Sequence, residues 1–171
     1  MDFLKVKNLT KTFGKIKAVD DASFSVPEGS IFGLIGRNGA GKTTTIRMIM
    51  DIYKPDGGEV IFEGLKDGVD FRSAVGYLPE ERGLYKKMKV IDTLLFFAEV
   101  KGKTGKAVVR KANEYLERFE LLDRKNSKLE DLSKGNQQKI QFIITVLHDP
   151  DFLILDEPFA GLDPINTGML K

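Results

Sequence analysis

The stretch Gly36-Arg37-Asn38-Gly39-Ala40-Gly41-Lys42-Thr43 limits what this chain can fold into more than any other. It fits Gly-x-x-x-x-Gly-Lys-[Ser/Thr] at every fixed position. The apolar residues 30–35 before it read as a strand, and residues 42–50 after it read as a helix with Ile46, Ile49 and Met50 on one face. Glycines let the backbone curl so that successive N–H groups converge on phosphate oxygens, and the helix behind adds the positive end of its dipole. In that setting Lys42 supplies a mobile cation for the outer phosphates and Thr43 a hydroxyl for Mg²⁺. A glycine turn with a capping threonine would match the same letters, and the flanking strand and helix argue against it.

The rest of the chain builds an α/β context around this loop. Residues 3–9 and 18–26 alternate as strands do, and a Pro27-Glu28-Gly29 turn separates them from residues 30–35. Asp56-Gly57-Gly58 leads into a short strand at 59–62, and the apolar residues 75–78 end at Pro79. Between 90 and 147 the period becomes helical, with Leu94, Leu95, Phe97 and Ala98, then Val109, Ala112, Leu116 and Phe119, spaced by three or four. Phe152-Leu153-Ile154-Leu155 then reads as a buried strand. With 171 residues and no internal repeat, this predicts one two-lobed domain, an α/β core interrupted by helices.

Composition removes several classes of function. Lysine and arginine number 27 against 25 acidic residues, so a net charge of +2 provides no strong field for nucleic acid or anionic membrane. The absence of cysteine excludes disulfides, zinc–thiolate sites and thiol nucleophiles and fits a reducing compartment, and the single histidine, His148, excludes a His-rich metal centre. Met1-Asp2-Phe3-Leu4-Lys5 does not open a signal peptide. The longest apolar runs, such as 142–147, fall far short of the roughly 18 residues of a membrane-spanning helix.

Two further motifs carry chemistry. Asp156 and Glu157 follow the last apolar strand, at the edge where open α/β sheets bind ligands. Asp156 there can hold Mg²⁺ and Glu157 can orient and deprotonate a water aimed at a γ-phosphate, although the pair could also simply end a strand and cap a turn. Leu132-Ser133-Lys134-Gly135-Asn136-Gln137 precedes an apolar helix, with Ser133 placed as its N-cap.

These motifs in this order, together with Leu155-Asp156-Glu157-Pro158 and Ala160-Gly161-Leu162-Asp163, resemble those of the ATP-binding subunits of ABC transporters. The likeness covers nearly the whole chain, and Gly76-Tyr77-Leu78-Pro79-Glu80-Glu81-Arg82-Gly83-Leu84-Tyr85 further resembles the branch that powers sodium and drug exporters. The resemblance implies a P-loop NTPase (ABC ATPase) core with N-terminal antiparallel strands and an inserted helical subdomain. Residues 1–86 and 149–171 would form the core lobe and 87–148 the helical signature lobe.

It implies ATP and Mg²⁺ as ligands and ATP hydrolysis coupled to transport as the activity. Gly36, Arg37, Asn38, Gly39, Ala40, Gly41, Lys42, Thr43 and Thr44 would hold the phosphates, while Phe13 stacks on adenine helped by Val19. Thr43, Glu80 and Asp156 would attend the metal, and Glu157 and Lys42 the chemistry. Ser133 and Gly135 would touch the γ-phosphate held by a second ATP-binding subunit in a head-to-tail dimer, and Asp163 would couple the two sites. An integral membrane subunit would dock near Leu84, Tyr85 and Met88, which puts the protein in the cytoplasm against the inner face of the membrane. Residue-level alternatives stay open: Phe13 as hairpin packing, Asp163 as a helix cap, and Lys86-Lys87-Met88-Lys89 as a solvated charge run beside core aromatics.

The sequence departs from the family pattern in places. Glu80 stands where most members carry glutamine, which adds negative charge near the phosphates and predicts altered metal affinity. Lys134 and Asn136 replace the commoner glycine and glutamine of the signature. The family's switch histidine lies some way beyond the Asp163 position, so these residues look like a truncated subunit, expected to bind ATP and hydrolyse it slowly. His148 lies before the Asp156 strand and reads as a cap at a helix end. The competing readings are an ABC ATPase acting on nucleic acid or the ribosome and a non-catalytic ATP-binding fragment. The compact helical block between Gly41 and Ser133 and the small net charge disfavour the first.

Overall fold

Leu4, Val6 and Leu9 alternate with polar residues and are fully buried, so the first strand turns one face inward as a half-buried strand must. In the computed structural model, which describes residues 1–65, 68–80 and 83–157, this strand is β1 (Asp2–Phe13). It pairs antiparallel with β2 (Ile16–Pro27) through a turn at Gly14, with Leu4 opposite Val26 and Phe13 opposite Ile16. Beyond α1 (Lys42–Ile49), strand β3 (Gly57–Phe62) pairs with the other side of β1, giving the order β2-β1-β3. The hairpin runs further than residues 3–9 and 18–26, because ladder hydrogen bonds continue along its polar, solvent-facing end. Helix α1 buries Ile46, Met48 and Ile49.

One expected element is absent. Residues 31–37 form no strand; Ile31 and Ile35 are 103% and 94% exposed, and Phe32 is stacked on Phe24 at 5.1 Å. Both edges of β1 are taken by β2 and β3, and a strand exists only through a neighbour's hydrogen bonds, which this apolar run lacks among the described residues.

The chain forms two compact units, Met1–Phe71 and Arg72–Lys171. After the single turn α2 (Phe71–Ala74), β4 (Val75–Leu78) pairs in parallel with β5 (Phe152–Leu155), with Val75 opposite Phe152 and Leu78 opposite Leu155. Parallel neighbours require a long crossover. Here it contains α3 (Val90–Val100), α4 (Lys106–Arg118) and α5 (Lys134–Val146), which share a core including Val90, Leu94, Ala112, Leu116, Ile140 and Ile143. None of the described helices is long and apolar enough to cross a membrane.

Gly76 lets α5 lie against β4. A Cβ there would sit 2.4 Å from the Thr145 carbonyl oxygen and 2.7 Å from Leu153 Cδ2, so any side chain would push the helix off the strand. Two lysines add polar ties: Lys101 Nζ donates to the carbonyls of Arg72 and Val75, and Lys111 Nζ pairs with Asp149.

His148 differs from its expected role. Instead of capping the helix end through a hydrogen bond, it is 2% exposed just after α5, with neither ring nitrogen in hydrogen-bond geometry. Burial, and then the Lys101 ammonium, hold its pKa below the usual value; Lys103 adds to this, and the carbonyls of Val75 and Ile144 pull weakly the other way. Desolvation outweighs the favourable helix-end dipole, so the imidazole is neutral.

Two predictions follow from this packing. Gly76→Ala should lower the unfolding free energy by about 1–3 kcal/mol in chemical denaturation. For His148, the unfolded chain binds the extra proton from about pH 6.5 downward to the depressed folded pKa, so stability should fall as pH drops through that window. His148→Gln should flatten that slope in thermal melts at stepped pH.

Candidate functional site

The glycine loop is shaped by local backbone constraints. Gly39 and Gly41 have φ of +79° and +85°, a left-handed region that residues with a side chain rarely enter. A Cβ on Gly41 would also lie 2.2 Å from the Ala18 carbonyl oxygen and 3.1 Å from Val19 Cγ2, so the loop presses against β2 at a point that excludes any side chain. The Ala40 N–H donates to the Arg37 carbonyl at 3.1 Å, closing a turn, and the Thr45 N–H donates to the Gly41 carbonyl at 2.8 Å, starting α1. Helix α1 has no side-chain cap and no acidic residue in its first turn, which leaves its positive end available to an anion.

Lys42 Nζ bends back over this loop and donates to the carbonyls of Gly36 and Arg37 at 2.9 and 3.2 Å. The ammonium therefore already spans the concavity that an anion would enter. A cleft of about 480 Å³ opens beside it, lined by Lys17, Ala18, Val19, Gly39, Lys42 and Thr45 among others. Amide N–H groups, one ammonium and the hydroxyl-bearing Thr43 and Thr44 at the start of α1 make up a donor set suited to phosphate. Val19, 6% exposed, serves as packing behind Gly41.

Phe13, near the hairpin tip, packs within the hairpin region and keeps part of its ring exposed. Its edge packs on Tyr53 at 5.5 Å in a T-shaped contact, yet the residue stays 44% exposed, with the Lys11 ammonium 5.6 Å from the ring centroid. Sequence reasoning missed Tyr53, whose ring takes the Arg47 guanidinium and whose hydroxyl accepts from it at 3.1 Å. No local pattern pointed to it.

In the second unit, the parallel register brings three acids to one strand end. Leu78 and Leu155 are opposite, and the Asp156 N–H donates to the Leu78 carbonyl at 2.9 Å, so Glu80, Asp156 and Glu157 all follow the carboxyl edge of the β4–β5 pair. Asp156 is 4% exposed, whereas Glu80 and Glu157 face solvent. Glu157 adopts φ of +52°, uncommon for glutamate and visible only in the fold. Among the described residues no three acidic or imidazole groups close on one point. Asp156, Glu80 and Glu157 are the carboxylates at this edge that could contribute to a Mg²⁺ site, an ion that needs only one or two of them.

Ser133 is the N-cap of α5, its Oγ accepting from the Asn136 N–H at 3.2 Å. Gln137 Nε2 donates to the Leu129 and Leu132 carbonyls at 3.0 Å each, fixing the turn before the helix, a role not read from the sequence. A Cβ on Gly135 would meet nothing within 4 Å, so no internal contact calls for glycine there. Tyr85, 55% exposed, joins Phe96 and Phe97 at centroid distances of 5.8 and 6.2 Å, and Lys86, Lys87 and Lys89 are solvated beside it. Leu84 packs on the helical core, Met88 is half-buried, and Asp163 lies outside the described residues.

Residues 19–160 match the protein family described as ABC transporter. The chain is 52% identical over 98% of its length to the uncharacterized ABC transporter ATP-binding protein YhaQ of Bacillus subtilis, covering 56% of that protein. It is 48% identical to the uncharacterized ABC transporter ATP-binding protein MJ1023 of Methanocaldococcus jannaschii, over 98% of this chain and 61% of that protein. The chain thus spans a little over half the length of these relatives. It is 34% identical to the Escherichia coli lipopolysaccharide export system ATP-binding protein LptB, over all of this chain and 73% of that one. Among solved structures, the ATP-binding subunit of an ABC transporter superposes with a TM-score of 0.87 at 33% identity, over 98% of this chain and 71% of that one.

Gly41→Ala, strained in backbone and blocked by the Ala18 carbonyl, should weaken binding of Mg-ATP at least about tenfold in titration calorimetry. Gly135→Ala should leave that affinity unchanged.

Proposed function

The chain belongs to the ABC transporter ATP-binding family and has the P-loop ABC ATPase fold, and on that premise we propose that it binds Mg-ATP and hydrolyses it to drive an exporter. The observation that carries the proposal is the loop at Gly41, left-handed and pressed on β2, with Lys42 arched over its carbonyls. Phosphate oxygens replace those carbonyls as partners of the ammonium, a stronger, charge-assisted exchange. Loop amides from Gly36 to Thr44 hold the phosphates, and the open face of Phe13 stacks on adenine. Thr43, Asp156 and Glu80 are the residues that would hold the metal, which would supply positive charge to offset that of the phosphates. Glu157 orients the attacking water and takes its proton.

The remaining features fit a two-subunit engine. Alanine would fit at 135 and has the higher helix propensity, so Gly135 makes sense if a surface from outside approaches it closely. That surface is the γ-phosphate region of a second ATP-binding subunit, reached by Ser133 and Gly135, with Asp163 linking the two sites. Residues 1–86 and 149–171 act as the core lobe and 87–148 as the signature lobe of one ABC ATPase domain. The exposed aromatics around Tyr85, with Leu84 and Met88, receive an integral membrane subunit at the cytoplasmic face of the membrane. The export system named for the Escherichia coli relative favours outward transport.

Phosphate release and nucleotide affinity, measured together, test this reading. Glu157→Gln should cut release by about 100-fold or more while Mg-ATP affinity stays within roughly threefold. Lys42→Ala should lower the affinity itself. Brisk release insensitive to Glu157→Gln would remove the assignment of Glu157, and unchanged affinity in Lys42→Ala would remove the site.

A further inference from the structure

We infer that the end of α3 and the start of α4 form a docking trough for an acidic amphipathic helix of a partner protein, on a surface made of none of the residues assigned above. The trough encloses about 510 Å³; Leu95, Val108 and Val109 form its floor, and Glu99, Lys103 and Lys106 stand in its walls. Leu95 and Val108 rest partly on the helical core, whereas Val109 is 39% exposed, and Val100, also near the end of α3, is 65% exposed. Apolar residues left uncovered along a concave strip mark a surface that something else covers.

The charge around the trough says what the occupant carries. Between residues 99 and 111, Lys101, Lys103, Lys106, Arg110 and Lys111 face a single acid, Glu99. Lys101 is spent on the carbonyls of Arg72 and Val75, Arg110 on Glu114, and Lys111 on Asp149. Lys103 and Lys106, the two in the walls, make no ion pair or side-chain hydrogen bond among the described residues. Helix α4 adds to this field, since Gly105 caps it without a side chain and its first turn has no acid. An apolar floor between unpaired ammonium groups is complementary to a helix with apolar residues at every third or fourth position and carboxylates along the margin. An anionic bilayer fits less well: it is flat where the trough is concave, and two lysines are few for membrane attachment.

The test uses the full chain and two lactam-bridged, fluorescein-labelled 15-residue helical peptides with leucine at every third or fourth position. One carries glutamate at its other positions, the other lysine. In fluorescence anisotropy the acidic peptide should bind at least tenfold tighter than the basic one. Lys103→Glu with Lys106→Glu should reverse that preference, and Val109→Asp should abolish binding of both. Thermal melts and Mg-ATP affinity identify any variant that fails to fold, and Val109→Thr then replaces Val109→Asp. Equal binding of the two peptides, or no reversal by the double charge change, overturns the inference. Sedimentation with phosphatidylglycerol vesicles that depends on Lys103 and Lys106, without peptide binding, overturns it in favour of a lipid surface.

Discussion

The close approach of Gly41 to β2 is the constraint from which the rest of the first unit follows. With no Cβ, residue 41 can sit against the Ala18 carbonyl in a left-handed conformation, and that contact turns an extended segment into the first turn of α1. The helix then starts at a fixed place beside the hairpin, with its uncapped amides and the Lys42 ammonium on the same side. In such a loop, affinity for phosphate would be a property of backbone direction more than of side-chain type. For that reason a short run of glycines can specify it.

The second unit solves a different problem by register. Glu80 and the Asp156-Glu157 pair are far apart in sequence, yet parallel pairing of β4 with β5 makes both exit at one edge. The helical crossover is the price of parallel pairing, and it also holds the Ser133 cap. Gly76 joins the two consequences, since its missing side chain lets α5 rest on β4 while β4 ends at Pro79 and Glu80.

Much of this was legible in the sequence because the signals are local. The spacing of glycines around Lys42, the cap at Ser133 and the apolar run at 152–155 each state a backbone preference within a few residues. Residues 30–35 were misread because apolar content expresses a need for cover without naming the strand that provides it. His148 was misread for a related reason: its helix-end position is local, but the desolvation that keeps it neutral comes from packing against elements distant in sequence. Tyr53 beneath Phe13, Gln137 beneath the signature turn and the φ of Glu157 carried no local mark at all.

Several positions give up internal stability without an internal return. Gly135 forgoes helix propensity where alanine would fit, Glu157 occupies a conformation glutamate disfavours, and Tyr85 keeps most of an aromatic ring in water. A chain shaped by its own folding alone would have no reason to keep all three. Each becomes reasonable if the missing contact comes from outside: a phosphate facing Gly135, a water held by Glu157, a partner helix against Tyr85. The apolar core of the helices is filled conventionally, with Leu94, Leu116, Ile140 and Ile143 wholly buried, although His148 is buried with neither ring nitrogen in hydrogen-bond geometry. A filled apolar core beside surface positions left incomplete is the arrangement expected of a chain that acts through contacts with other molecules.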